Sequence, residues 1–400
     1  MAKLGDVFSL QITGEWGSEC DTNQAGTKIL RTTNFTSNGT IDYSNIAVRK
    51  IAESKIEKKR LKKGDIILEK SGGTEKTPVG RVVFCDKAIE NDIYLCNNFT
   101  QAMRVNPAVA YPRYVFYFMW YLHYSGKTDL LQNKTTGIRN LRVKSYLDEK
   151  IPLPSLDEQR RIAVVLDKIS DLIALRRAQL DKLDLLVKSR FVEMFGDCKT
   201  NPKRWPVCKL DEIAEVGSSK RVFVEELQDK GIPFYRGTEV GALAEGKSIT
   251  PELYITQEHY KKLCDMTGAP QRGDLLMPSI CPDGRIWVVN TYEPFYFKDG
   301  RVLWVHNIID RFDPIFLLYT LKDRIMTDYS SIASGTTFAE LKIFALKKCL
   351  VFDVPLEQQK EFSTFVKQAE KLKLTIHKSL DKLETMKKAL MQKYFYSLLP

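Results

Sequence analysis

A chain of 400 residues with 44% hydrophobic composition suits two or three globular units better than a single core. Its 61 Lys and Arg against 50 Asp and Glu leave a net charge of +11, which points to a polyanionic partner, either nucleic acid or a membrane surface. The most apolar run, Val115–Leu122, is far shorter than the roughly 20 residues a membrane span needs, and none of the eight cysteines forms a Cys-x-x-Cys pair, so neither a spanning helix nor a paired-cysteine zinc site is expected.

The start, Met1–Asp6, shows no basic segment leading into an apolar one, so no secretory signal is expected and the cysteines read as reduced residues packed in cores in a cytoplasm. Residues 1–150 form a first globular domain. Its short β-type runs, Asp65–Leu68 and Arg81–Cys85, lie between Gly and Pro breaks, and Val115–Leu122 after Pro112 predicts a buried helix. Residues 151–196 carry a long helix. No Pro or Gly interrupts Asp157–Phe195, and apolar residues step by four and three through Ile162, Leu166, Ile169, Ile173, Leu180, Leu183, Val187 and Met194. Arg176 and Arg190 hold the other two seam positions, where they can pair with helix carboxylates. Ser155 or Asp157 caps the start and Gly196 stops the end. Residues 197–204 read as a linker. A second globular domain, 205–350, follows with strands near Arg285–Val289 and Arg301–Val305 and an apolar helix after Pro314. Residues 351–397 give the second long helix, with Phe362, Val366, Ala369, Ile376, Leu380, Leu383, Leu390 and Tyr394 on its seam and Lys373 and Lys387 as exceptions.

The two halves repeat. At a shift of 200, Leu141 falls on Leu341, Leu156 and Gln159 on Leu356 and Gln359, Leu180–Leu183 on Leu380–Leu383, and Phe195 on Phe395. Upstream the order holds while the shift drifts: Leu30-Arg31-Thr32 resembles Tyr235-Arg236-Gly237, and Gly64-Asp65 resembles Gly273-Asp274. A duplicated unit pairing with its own copy predicts antiparallel helices. The expected fold is therefore α+β: two similar globular domains separated by a pair of long antiparallel coiled-coil helices with a pseudo-twofold internal repeat. A helix of about 38 residues is ~57 Å long, enough to hold two reading heads one B-DNA turn, about 34 Å, apart. A plain coiled-coil connector between two domains remains an open reading of the same pattern.

Catalytic motifs are missing. No Gly-rich turn followed by an Asn/Asp-Pro-Pro-aromatic loop indicates a methyltransferase. No phosphate-binding Gly-x-x-x-x-Gly-Lys loop indicates a motor. Pro282-Asp283 has no Asp/Glu-x-Lys after it until Glu340-Leu341-Lys342, and the four histidines suggest no nucleophilic triad.

Ile151-Pro152-Leu153-Pro154-Ser155-Leu156-Asp157-Glu158-Gln159, running into a heptad helix, resembles a segment of type I restriction–modification specificity subunits, and Val354-Pro355-Leu356-Glu357-Gln358-Gln359 resembles its second copy. Gly64-Asp65-Ile66-Ile67, Thr135–Leu141 and Gly335–Leu341 share the likeness, although Phe352-Asp353 departs from Pro152-Leu153. The resemblance implies a non-catalytic subunit with two target-recognition domains, each reading one part of a split, asymmetric site in double-stranded DNA. The helices would act as a spacer ruler and as a scaffold for two modification subunits. S-adenosylmethionine for adenine methylation would come with those subunits, ATP and Mg with two restriction subunits, and this chain would hold no cofactor of its own. A stand-alone two-headed DNA-binding regulator is the alternative.

DNA contacts are expected from cations, hydroxyls and backbone amides on loops. In the first domain these are Arg31 and Thr33, the run Lys70, Ser71, Gly72, Gly73, and the loop with Lys134, Thr136 and Arg139. In the second they are Lys220, Arg221, Arg236, Thr238, Arg285, Thr336 and Thr337. The run Glu57–Lys63 is basic and reads as an exposed face or a nonspecific phosphate patch.

Overall fold

A computed structural model describes residues 1–20, 26–75, 77–133, 137–334 and 339–395. The chain divides into two compact units, Met1–Ala178 with His377–Pro400 and Gln179–Ile376.

In the first unit, the apolar run Ile66–Glu69 is buried along its whole length, as a central strand requires. It pairs antiparallel with Thr100–Val105 and Val82–Phe84, and Phe8–Thr13 completes a four-stranded sheet. A second sheet joins Ala47–Arg49, Thr27–Leu30 and Tyr94–Cys96, the last two in parallel. Ala2–Lys3 pairs with Lys150–Ile151 and closes the domain. The helix Pro112–Tyr124 has proline at its first turn and is apolar nearly all round, because one side meets the sheet and the other meets the long helices.

The second unit repeats the plan. Glu215–Gly217, Val302–His306, Leu275–Pro278 and Trp287–Val288 form a four-stranded sheet. Ile232–Tyr235 pairs in parallel with Tyr296–Phe297, and Val207–Lys209 with Leu350–Phe352 closes the domain. The helix Pro314–Ile332 is better capped than its counterpart, because the Asp313 carboxylate accepts the N–H groups of Ile315 and Phe316.

The long helices, Leu156–Phe195 and Leu356–Phe395, are each 40 residues. Glu158 N–H donates to Ser155 Oγ at 3.3 Å, the expected cap, and Gly196 ends the first helix with φ +85°. In the first unit, Ile162 and Leu166 share a core with Met391 and Phe395, and Arg177 Nη2 reaches Glu384 Oε1 at 2.7 Å. In the second, Val187, Phe191 and Phe195 pack with Phe362, Val366 and Ala369, and Arg190 Nη2 reaches Glu361 Oε1 at 2.9 Å. Within each unit, one helix's run thus packs antiparallel on the other's. Of the four seam cations, Arg190 and Lys373 are seen on carboxylates: Lys373 Nζ lies 2.5 Å from Asp184 and 2.7 Å from Glu370. Lys387 instead lies 4.4 Å above the Trp120 ring and is 9% exposed.

Residues 196–206 form an ordered turn rather than a loose tether. Asn201 and Trp205 exchange two hydrogen bonds, and the Trp205 indole donates to the Phe195 carbonyl. Burial pushes the thiols of Cys85, Cys96, Cys198 and Cys281 above their ordinary range, as expected of core cysteines. No helix among the described residues is long and apolar enough to cross a membrane.

Candidate nucleic-acid interface

Two of the three sequence-predicted patches of the first domain become adjacent strands. Ser71–Gly73 pairs antiparallel with Arg139–Leu141, with Arg139 opposite Gly73. Lys70 is pinned through its backbone: its N–H donates to Phe99 and its carbonyl accepts from Leu141. Ser71 Oγ donates to Asn140 Oδ1 at 2.5 Å. Gly72 is exposed, with φ +98° and open space where a Cβ would stand, so only backbone is offered there. Gly73 is buried, and a Cβ on it would meet Thr77 O and Val79 Cγ1 at 2.7 Å. Its small size therefore serves packing. Arg139 Nη2 stands 3.9 Å from Glu75 Oε1, whose side chain is 93% exposed. So loose an ion pair is weak and easily exchanged for a phosphate.

The third patch connects to these through Arg81, which the sequence did not single out. Arg81 pairs with Glu69 at 2.7 Å and donates to the Thr32 carbonyl at 3.3 Å, tying the Thr32–Asn34 turn to the strand that leads into Lys70. Thr33 is exposed on that turn. Arg31 spends its Nη2 on Asn45 O at 3.1 Å and Asn45 Oδ1 at 3.3 Å. Only its neighbourhood to Gly80 and a β-type run marks Arg81 in the sequence, a signal too common to use. One cation of the basic run is locally engaged: Lys59, like Lys55 one turn earlier on the helix Glu53–Lys59, bonds Glu15.

In the second unit Arg236 takes the place of Arg31, at the end of the strand that pairs in parallel, and opens a helix. Its guanidinium is held by Glu239 at 2.6 Å and Glu252 at 2.8 Å. Burial works to raise the Glu239 carboxyl, but the Arg236 side chain and backbone and the Thr238 hydroxyl outweigh it and hold it at about 2. Thr238 is exposed and bonds Glu239 at 3.0 Å. Arg285 is likewise engaged, 2.8 Å from Asp283 and 3.5 Å from Glu245. Lys220 and Arg221 differ: both are exposed, and Arg221 lies 5.4 Å from the Phe223 ring. Their backbone is fixed, because Lys220 N–H donates to Tyr296 Oη, and Ser218 and Ser219 hydroxyls donate to Val302 and Phe297 carbonyls. Exposed cations beside a hydrogen-bonded backbone can take phosphates at little ordering cost.

Lys134, Thr136, Thr336 and Thr337 lie outside the described residues. Among the described residues, no group of three or more His, Cys, Asp and Glu side chains is placed to hold a metal ion. The arrangement offers cations, hydroxyls and backbone amides: the means of holding a polyanion.

Comparison with known proteins accords with this chemistry. The family model for the type I restriction modification DNA specificity domain matches residues 1–185 and again residues 202–385. The type I restriction enzyme MjaVIII specificity subunit of Methanocaldococcus jannaschii is 26% identical over 283 residues, 65% of this chain. That match spans 64% of the relative, less than two thirds of its length. The MjaIX specificity subunit of the same organism is 23% identical over 302 residues, covering 69% of this chain and 68% of the relative. Among solved structures, the type I restriction–modification S subunit from M. genitalium superposes with a TM-score of 0.57 at 14% identity, covering 98% of this chain and 95% of that one. A chain from a study of assembly and conformational transition in the type I system gives 0.53 at 18% identity, covering 98% and 96%. Both likenesses are likenesses of fold.

Proposed function

This chain belongs to the type I restriction–modification DNA specificity family, and on that premise we propose that it is the DNA-reading specificity subunit of such an enzyme, with each unit reading one part of a split duplex site. The observation that carries this reading is the family match falling twice, once on each half, over two units that share sheet order and helix pairing. Positively charged, rigidly backed segments in both units supply phosphate contacts, and loops supply base contacts. The chain directs chemistry carried by others. Two modification subunits bring S-adenosylmethionine and methylate adenine, and restriction subunits bring ATP and Mg. The helices are the ruler that fixes the unread spacer, since each runs unbroken for 40 residues, about 60 Å. The cytoplasm, where thiols stay reduced, is the compartment this role implies. The relatives named above are specificity subunits rather than regulators, which disfavours a stand-alone two-headed regulator.

The direct test is a map of methylated adenines in cells with and without the gene. The proposal expects a split motif that disappears on deletion and returns on complementation. A methylation pattern that deletion leaves intact would refute it.

A further inference from the structure

The repeat supplies an internal comparison at one buried carboxylate. In the first unit Ile66 lies opposite Met103, and in the second Leu275 lies opposite Val305, so Asp65 corresponds to Asp274 and Arg104 to His306. Arg104 clamps Asp65 at two points, Nε on Oδ1 and Nη2 on Oδ2, both 2.8 Å. Asp65 Oδ2 also accepts the Lys62 N–H. Asp274 Oδ2 accepts the corresponding N–H, from Gln271, and the Trp304 indole, both at 2.8 Å. Its Oδ1 accepts no hydrogen bond among the described residues, although Asp274 is only 7% exposed. His306 does not reproduce the clamp: among the described residues it makes no hydrogen bond to Asp274, its ring stacks on Trp304 with centroids 3.8 Å apart, and its Nε2 lies 3.9 Å from Glu215.

The space left open is a cavity of about 570 Å³ lined by Asp274, Glu215, Trp304, His306, Gln271 and Arg272, among others. Two carboxylates face it. Burial pushes His306 below its ordinary value, so the imidazole is neutral near pH 7. Arg272 is turned to Tyr292, whose hydroxyl it meets at 2.7 Å. Burial also pushes the Asp274 carboxyl upward, the cost of a carboxylate whose cation is missing.

We propose that this cavity is a receptor for a guanidinium group, an arginine side chain presented by a partner protein, which completes on Asp274 the clamp that Arg104 makes on Asp65. A planar, weakly hydrated guanidinium can bond a buried carboxylate at two points, as Arg104 does on Asp65, and so suits Asp274 better than an ammonium. The proposal uses none of the cations assigned to DNA, so its test does not depend on that assignment.

The test is calorimetric titration of the full chain with methylguanidinium, N-acetyl-arginine amide and n-propylammonium. Both guanidinium compounds are expected to bind saturably with one-to-one stoichiometry. Propylammonium, and guanidinium on the Asp274→Asn chain, are expected to bind at least tenfold more weakly. His306→Arg places the first unit's arginine in the second unit and is expected to abolish binding while cooperative unfolding is retained, so the proposal stays testable if Asp274→Asn misfolds. Absence of saturable binding, equal binding of propylammonium, or unchanged binding in His306→Arg would overturn it. Binding of methylguanidinium with exclusion of N-acetyl-arginine amide would overturn the partner side chain in favour of a free small cation.

Discussion

Gln159 and Gln359 sit at the same step of the two long helices and do the same work. Each is at most 1% exposed, each accepts the N–H that opens the apolar helix of its unit (Tyr111 or Asp313), and each donates to a carbonyl just before its own helix (Pro154 or Val354). Arg31 and Arg236 also share a place, yet the first rests on a neutral Asn45 and the second is caged by two glutamates. The contrast separates two kinds of tie. The two glutamines satisfy backbone groups on both sides of a turn, so they are bound to the path of the chain there and recur in both copies. Side chains that satisfy other side chains can change with their partners and leave the path intact. Two units built this way keep one scaffold and present different surfaces, as the proposed reading of a split asymmetric site requires.

The sharpest way to break this comparison is at the ends of the long helices. Phe395 is fully buried against Tyr114 and Phe118, and Phe195 against Phe316 and Phe362. Phe395→Ala and Phe195→Ala should each cost about 3–5 kcal/mol, read by denaturant unfolding with hydrogen exchange to locate the loss. The first should loosen the first unit and the second the second; the reverse, or a loss confined to one variant, contradicts the pairing. A smaller difference lies at Lys387, whose counterpart at the shift of 200 is Val187. Burial, with the nearby Arg113 and Arg177, lowers the Lys387 amine from 10.5 to about 8. The unfolded chain then holds more protons between those values, so the first unit gains stability as pH rises through that window and lacks it below. Lys387→Met should remove this rise, an effect on the order of 3 kcal/mol, and stabilise the chain near pH 7. Parallel pH profiles of the two proteins would contradict it. The smallest effect concerns DNA. Arg139→Ala should weaken binding by the assembled complex about tenfold at near-physiological salt, whereas Arg236→Ala, already neutralised by carboxylates, should weaken it less than about threefold. Equal losses would show that the two guanidiniums are equally available.

The repeat and the helices were legible because their signals are periodic: the seam is buried at Ile162, Leu166, Ile169, Ile173 and Val187 and half-buried at Leu180, Leu183 and Met194, although the buried Phe191 fell outside it, and Ser155 caps where a cap was needed. Strand positions near Ile66 and Val302 were legible from continuous apolar runs. The state of each cation was not. Nothing local tells that Arg285 meets Glu245, forty residues away, or that Arg81 bridges the Thr32 turn to Glu69. The order of the 196–206 turn was hidden for the same reason: prolines and charges look like a tether, whereas the Asn201–Trp205 pair that fixes it is a matter of geometry.

The account rests most on each unit reading its own part of the site. Methylated-adenine sequencing of cells whose chain carries residues 205–350 from a different family member measures this directly. One half of the methylated motif should change while the other half and the spacer length stay. A change in both halves, or a single uninterrupted motif, would contradict the account.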